Sequence, residues 1–184
     1  MAPPPLLRPL RQTDAPAVLD AFTSSVDMAR QGDVTTLAGA EAYVARHATQ
    51  PVFAVVADDR LVGAVGIMLD EANHNGWFWY WMHAGWRGRG WTAAAAATVA
   101  DWALGPGGCE RLELGHRVNN PASGRVAAAA GFVLEGRERA KFLVDGERVD
   151  VLIYGRLRSD PVPEGRRLAL TAPVPSQPRT MSAT

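Results

Sequence analysis

The apolar positions of this chain change period several times, and each change marks an element. Residues 6–10, LLRPL, form a short apolar run that reads as a first strand. In TDAPAVLDAFTSS the period lengthens: Thr13 or Asp14 serves as N-cap, Pro16 lies in the first turn, and Val18, Leu19 and Phe22 share one face of a helix. TLAGAEAYVARHA reads as a second short helix. From residue 52 strands take over, with VFAVVA and LVGAVGIML flanking the tight turn DDR and GWFWYWMH following as a third strand. A helix then runs from about 90 to 104 and is stopped by GPGG. RLELGHRV is the next strand, and NPASGRVAAAA is a helix opened by Asn120 and Pro121. GFVLEGRERAKFLVDGERVDVLIYGRL supplies two closing strands around the Asp145-Gly146 turn.

This order predicts an α/β domain with a mixed sheet, not a run of βαβ repeats. At 184 residues and 47% hydrophobic content the chain suits one domain, expected over 1–158. The Pro-rich stretch 159–184 has no helix or strand period and is expected to be disordered or to lie extended on a neighbouring surface. A formal net charge of +0 provides no broad field, so neither nucleic acid nor a membrane surface is an expected partner. Cys109, the only cysteine, reads as a packing residue at a strand entrance; alone it forms no internal disulfide and no cysteine metal cage, and no metal is expected. MAPPPLLRPL lacks the apolar core of a signal peptide, and no run approaches the roughly 18 apolar residues of a membrane span, so a cytoplasmic address is expected.

The aromatic strand runs through GWRGRGWT straight into a nearly all-alanine helix. The N–H groups of a first helical turn lack intrahelical partners, Gly88 and Gly90 allow close backbone approach, and Arg87 and Arg89 add charge, which together suit a phosphate. A glycine turn with solvated arginines fits the same residues. The spacing lacks the Lys-Ser/Thr ending of a nucleoside-triphosphate loop and the glycines of a dinucleotide fingerprint.

Arg87-Gly88-Arg89-Gly90-Trp91-Thr92 resembles the Q/R-x-x-G-x-G/A acyl-CoA pyrophosphate loop of the GNAT superfamily of N-acetyltransferases. HRVNNPASGRVAAAAGFVLEG is similar to the N-x-x-S…GF…EG segment of its RimJ/RimL-like branch. The resemblance spans roughly residues 5 to 157, with Thr92 standing where the pattern prefers Gly or Ala. It implies a GNAT-like fold: a mixed, mostly antiparallel twisted sheet flanked by helices, whose aromatic strand carries a bulge and splays from the next strand. It also implies acetyl-CoA as acyl donor, an amine acceptor that is a protein N-terminus or a small molecule, and a homodimer. Period two puts Trp77, Trp79 and Trp81 on one strand face and Phe78, Tyr80 and Met82 on the other. Trp81, Met82 and His83 are expected beside acetyl-CoA, and Trp77, Trp79 and Tyr80 in an apolar acceptor wall.

The implied reaction is direct attack of the amine on the thioester through a tetrahedral intermediate. A backbone N–H freed near Met82 and His83 would stabilise the oxyanion, Ser123 would protonate the departing thiolate, and Asn120 would bond the pantetheine arm. Where relatives often carry a glutamate on the strand before the loop, this chain has Trp77. His83, His116 or a water is left to take the amine proton, and Glu113 alternates to the face opposite His116. Asp27, Asp33, Asp70 and Glu71 lie in the turns that would choose the acceptor. A silent CoA-binding sensor and an interaction scaffold built on the aromatic strand are the alternative classes.

Overall fold

The computed structural model describes residues 4–171. Among these described residues, eight strands form one sheet in the order β6-β7-β5-β4-β3-β2-β1-β8. The strands are β1 (Leu6–Pro9), β2 (Val52–Ala57), β3 (Arg60–Asp70), β4 (Asn75–Met82), β5 (Arg111–Arg117), β6 (Val133–Val144), β7 (Glu147–Leu157) and β8 (Ala169–Leu170). Four helices flank them: α1 (Ala15–Thr23), α2 (Leu37–Arg46), α3 (Trp91–Leu104) and α4 (Pro121–Ala129). All pairings are antiparallel except β4–β5 and β1–β8. The mixed, mostly antiparallel sheet matches the fold expected from the sequence.

Two-residue turns with positive φ at both positions close the hairpins at Asp58-Asp59 and Asp145-Gly146, as the twist of paired strands requires. The alternation along β4 divides the core. Phe78 and Met82 pack with α3 and α4 in one layer, and Trp81 packs with α1 and α2 in the other. In α3 the alanines 94–97, Val99, Ala100 and Ala103 are all buried, so this helix turns apolar surface toward several neighbours at once and its small side chains bring it close to the sheet. The expected helix start at Thr13 or Asp14 is more elaborate. A 3-10 turn over Gln12–Asp14 precedes α1, and the Asp14 carboxylate accepts from the Arg11 N–H and pairs with Arg8 instead of capping α1.

One feature departs from the sequence reading, and the described part of the tail takes the extended one of its two expected forms. The bulge expected in β4 is absent, since β4 keeps unbroken register with β3 from Gly63↔Met82 to Asp70↔Asn75. Register shifts lie instead between Val55 and Val56 of β2 and, in β6, between Leu134 and Gly136 and between Glu138 and Phe142. Beyond residue 159, Leu168 is buried against the α3 layer and β8 pairs with β1, so residues 161–171 run as a strap over the domain. Residues 172–184 of the expected tail lie outside the described residues. Among the described residues no helix is long and apolar enough to cross a membrane, and no group of His, Cys, Asp or Glu side chains has the makings of a metal site.

Candidate active site

β4 ends at Met82, and the chain reaches α3 through a 3-10 turn over Ala84–Trp86 and the glycine pair. Gly88 and Gly90 have φ of 78° and 73°, and nothing lies within 4 Å of a Cβ built on either. Gly90 caps α3 with its carbonyl accepting from Ala94 N–H, which leaves the N–H groups at the start of the helix facing that open space. The Arg89 guanidinium lies 4.7 Å from the Trp86 ring centre and 5.2 Å from that of Trp91, and the two rings are 5.4 Å apart. Indole faces hold this arginine beside the helix terminus. Arg87 is tied down differently: its Nε donates to Met82 O at 3.1 Å and its Nη1 pairs with Asp27 at 2.9 Å. The Ser25 hydroxyl and then Arg87 hold the Asp27 carboxyl below its ordinary range.

Beside this turn the sheet opens. β4 and β5 pair only from Asn75↔Arg111 to Trp77↔Glu113 and then part. His83 N–H donates to Val62 O at 2.9 Å, so odd positions of β4 bond β3, and the N–H groups of Tyr80 and Met82 point into the gap. The free donors expected near Met82 and His83 therefore come from the splay alone: Met82 supplies one, while the His83 N–H is already used. Trp81 likewise stands apart from the site, because its backbone faces β3, its ring is buried, and its Nε1–H donates to Tyr43 at 3.0 Å.

Asn120 caps α4, its Oδ1 accepting from Ser123 N–H at 3.2 Å. Tyr80 Oη lies 2.8 Å from Ser123 O and 3.0 Å from Ser123 Oγ. A phenol has one hydrogen; given to the carbonyl, it leaves the serine hydroxyl to donate to the phenol oxygen. Burial pushes the Tyr80 pKa up to about 12. Tyr80, expected in the acceptor wall, instead sits on the opposite strand face, under α4.

The two histidines fall on either side of this centre, and neither has a free lone pair. His83 Nδ1 accepts from Gly85 N–H at 3.0 Å, so the proton of a neutral ring is on Nε2, 3.0 Å from Asp20. His116 is buried, with Nδ1 2.9 Å from Arg117 O and Nε2 3.2 Å from Tyr154 Oη. Its Nδ1 donates, so its Nε2 accepts. The expectation that one of them acts as the base therefore meets a physical obstacle in each case. Glu113 is engaged as well, in an Arg111–Glu113–Glu135 cluster.

Trp79 and Trp77 remain on the wall opposite α3. Trp79 lies flat across Gly66, where a Cβ would stand 2.2 Å from the indole, and Trp77 is 38% exposed and reaches toward Gly115. Sequence reading missed Trp86, Tyr154 and Asp20. Only Trp86 left a signal, an arginine set between tryptophans at the turn.

A profile of the acetyltransferase (GNAT) domain matches residues 6–133. The chain is 30% identical over 108 residues to the ribosomal-protein-serine acetyltransferase of Escherichia coli (strain K12), a match covering 58% of this chain and 60% of that protein. The fold is similar to RimL, a ribosomal L7/L12 alpha-N-protein acetyltransferase solved in complex with coenzyme A, with a TM-score of 0.75, 20% identity, and coverage of 82% of this chain and 92% of that one. It is also similar to a spermidine N-acetyltransferase SpeG chimera from Vibrio cholerae and hSSAT, with a TM-score of 0.75, 19% identity, and coverage of 84% and 96%.

Proposed function

The chain belongs to the acetyltransferase (GNAT) domain family, and from that premise we propose that it transfers acetyl from acetyl-CoA to a primary amine, on a protein N-terminus or a small molecule. The observation that carries this reading is the Gly88–Gly90 turn at the N-terminus of α3. It is a cradle that any side chain on either glycine would fill, and it follows the end of β4, which parts from β5 there and whose Tyr80 meets Ser123. Such a cradle suits a pyrophosphate, with the first N–H groups of α3 and the Thr92 hydroxyl as donors and Arg89 as fixed charge. The coenzyme A bound in RimL supports the same reading.

Acetyl-CoA supplies the thioester that the amine attacks. The N–H groups of Tyr80 and Met82 face the place where negative charge develops on the carbonyl oxygen. As the thiolate departs, the Ser123 hydroxyl turns its hydrogen from Tyr80 to the sulfur and gives up that proton, the Tyr80 O–H donates to Ser123 Oγ in its place, and water returns a proton to the serine. Asn120 uses its carbonyl as a helix cap and keeps its amide N–H groups for the pantetheine arm. With both histidine lone pairs occupied, the acceptor proton leaves through water at the cleft mouth. Trp77 and Trp79 form the apolar wall for the acceptor. A cytoplasmic address and a homodimer belong to the same reading, the latter supported by exposed Val133, Leu134 and Leu143 on the edge strand β6.

Titration calorimetry with acetyl-CoA, followed by thiol release with a panel of amines and peptides, tests the proposal. The expected result is micromolar binding and thiol release with at least one acceptor. Binding without release from any amine would favour a sensor, and no binding would make the glycine turn ordinary structure and leave a scaffold.

A further inference from the structure

Arg117 is the last residue of β5, at the mouth of the gap. Its guanidinium donates to no described residue, and burial together with the neighbouring Arg30 weakens its hold on the proton, against the pull of Asp145 and Asp27. Those carboxylates are committed elsewhere. Asp145 pairs with Arg30 at 3.2 Å, and Asp27 pairs with Arg87 at 2.9 Å. Three guanidiniums thus face two carboxylates, and the charge without a partner is that of Arg117. A partly buried cation without a partner is costly, and the group that best relieves the cost is an anion of matching geometry.

Arg117 and Arg30 line a cavity of about 210 Å³ together with His116, Asn120 and the tip of β6, Phe142–Val144. One side is cationic and the other is apolar. The volume is below the roughly 300–1,000 Å³ of pockets for drug-sized ligands, and the cavity shares His116 and Asn120 with the surroundings of Ser123. A single unmatched charge suits a monoanion better than a doubly charged phosphate.

We infer that this cavity binds the carboxylate of the acceptor through Arg117, and that the acceptor is a small amine carrying both a carboxylate and an apolar side chain, of the apolar α-amino acid class. The inference rests on the acetyl-transfer reading for the chemistry at the amine, but the anion site stands on its own geometry. The carboxylate takes a bidentate bond from Arg117, and the side chain lies against Phe142, which shares the sheet face of Arg117.

The test compares ligands that differ only in this charge. N-acetyl-L-leucine and N-acetyl-L-leucinamide are titrated into the full chain without CoA, and leucine and leucinamide are compared in thiol release with acetyl-CoA. The free acid is expected to win by about tenfold or more in both assays, the preference of one charge-assisted bidentate contact. Arg117→Gln is expected to abolish the preference and Arg117→Lys to restore part of it. Acetyl-CoA affinity stays at the wild-type value in both variants, and the thermal midpoint of Arg117→Gln does not fall, because the charge it removes has no partner. Equal binding of acid and amide to the wild type, or a preference that survives Arg117→Gln, would overturn the inference. Tighter binding of amide-capped N-acetyl-Leu-Glu than of N-acetyl-leucine would move the carboxylate to a peptide side chain and overturn the free-acid assignment. The two readings fail separately: loss of acetyl-CoA binding with an intact acid preference sinks acyl transfer alone, and the reverse pattern sinks the anion site alone.

Discussion

Ser123 is set apart from an ordinary helix-start serine by the partner of its hydroxyl. A serine at the start of a helix commonly turns its Oγ to a nearby backbone group, but here the backbone N–H of Ser123 goes to Asn120 and the Oγ meets Tyr80. The buried phenol, with its pKa pushed up to about 12, keeps its proton throughout the neutral range. It therefore fixes the hydroxyl without competing as an acid. Ser123→Ala is expected to lower kcat by about a hundredfold, within the usual contribution of a positioned acid, while the Kd for acetyl-CoA stays constant. Single-turnover thiol release beside calorimetry separates the two quantities. An unchanged kcat would remove Ser123 from the chemistry.

At the scale of elements, function resides where one strand and one helix end. The β4–α3 junction was legible because a run of aromatics gives way to a run of alanines and the glycines between them mark a turn, and Gly90→Asp tests its role. Aspartate tolerates a left-handed φ better than most residues, and its Cβ meets nothing within 4 Å, so the fold stays intact. The added carboxylate opposes a phosphate at the positive end of the helix, and acetyl-CoA binding should weaken by about tenfold or more in calorimetry. Equal affinity would place the pyrophosphate elsewhere. Other elements left weaker traces. The gap between β4 and β5 entered through family resemblance, and its expected bulge was misplaced because register is set by the partner strand, which periodicity in β4 cannot report. The occupied lone pairs of the histidines were also invisible: His83 meets Asp20 of α1, and His116 meets Tyr154 of β7, partners far apart in sequence. A two-residue strand such as β8 has no period to detect.

At the scale of the molecule, α3 carries the candidate phosphate cradle at one end and is clamped along its length by distant segments. Asp101 of α3 binds Arg156 of β7 at 2.6 Å and Arg167 of the strap at 2.7 Å, and Leu168 N–H donates to Thr98 at 2.9 Å. The arginines are not equivalent. The Arg156 side chain is 2% exposed, and its Nε has no hydrogen-bond partner among the described residues, so Asp101 is the main compensation for a buried charge. Arg167 is 26% exposed and can be rehydrated. Removing one partner of a buried ion pair costs about 3–5 kcal/mol, whereas an exposed pair contributes about 0–1. Asp101→Asn should therefore lower the unfolding free energy measured by urea titration by an amount in the first range, and Arg167→Ala by an amount in the second. Both should speed hydrogen exchange over 161–171, because both release the strap. Acetyl-CoA affinity should persist in Arg167→Ala, since Asp101 lies toward the end of α3 remote from Gly90. If Asp101→Asn unfolded at the wild-type midpoint, Arg156 would have found another partner or water, and α3 would be held by its buried alanines alone.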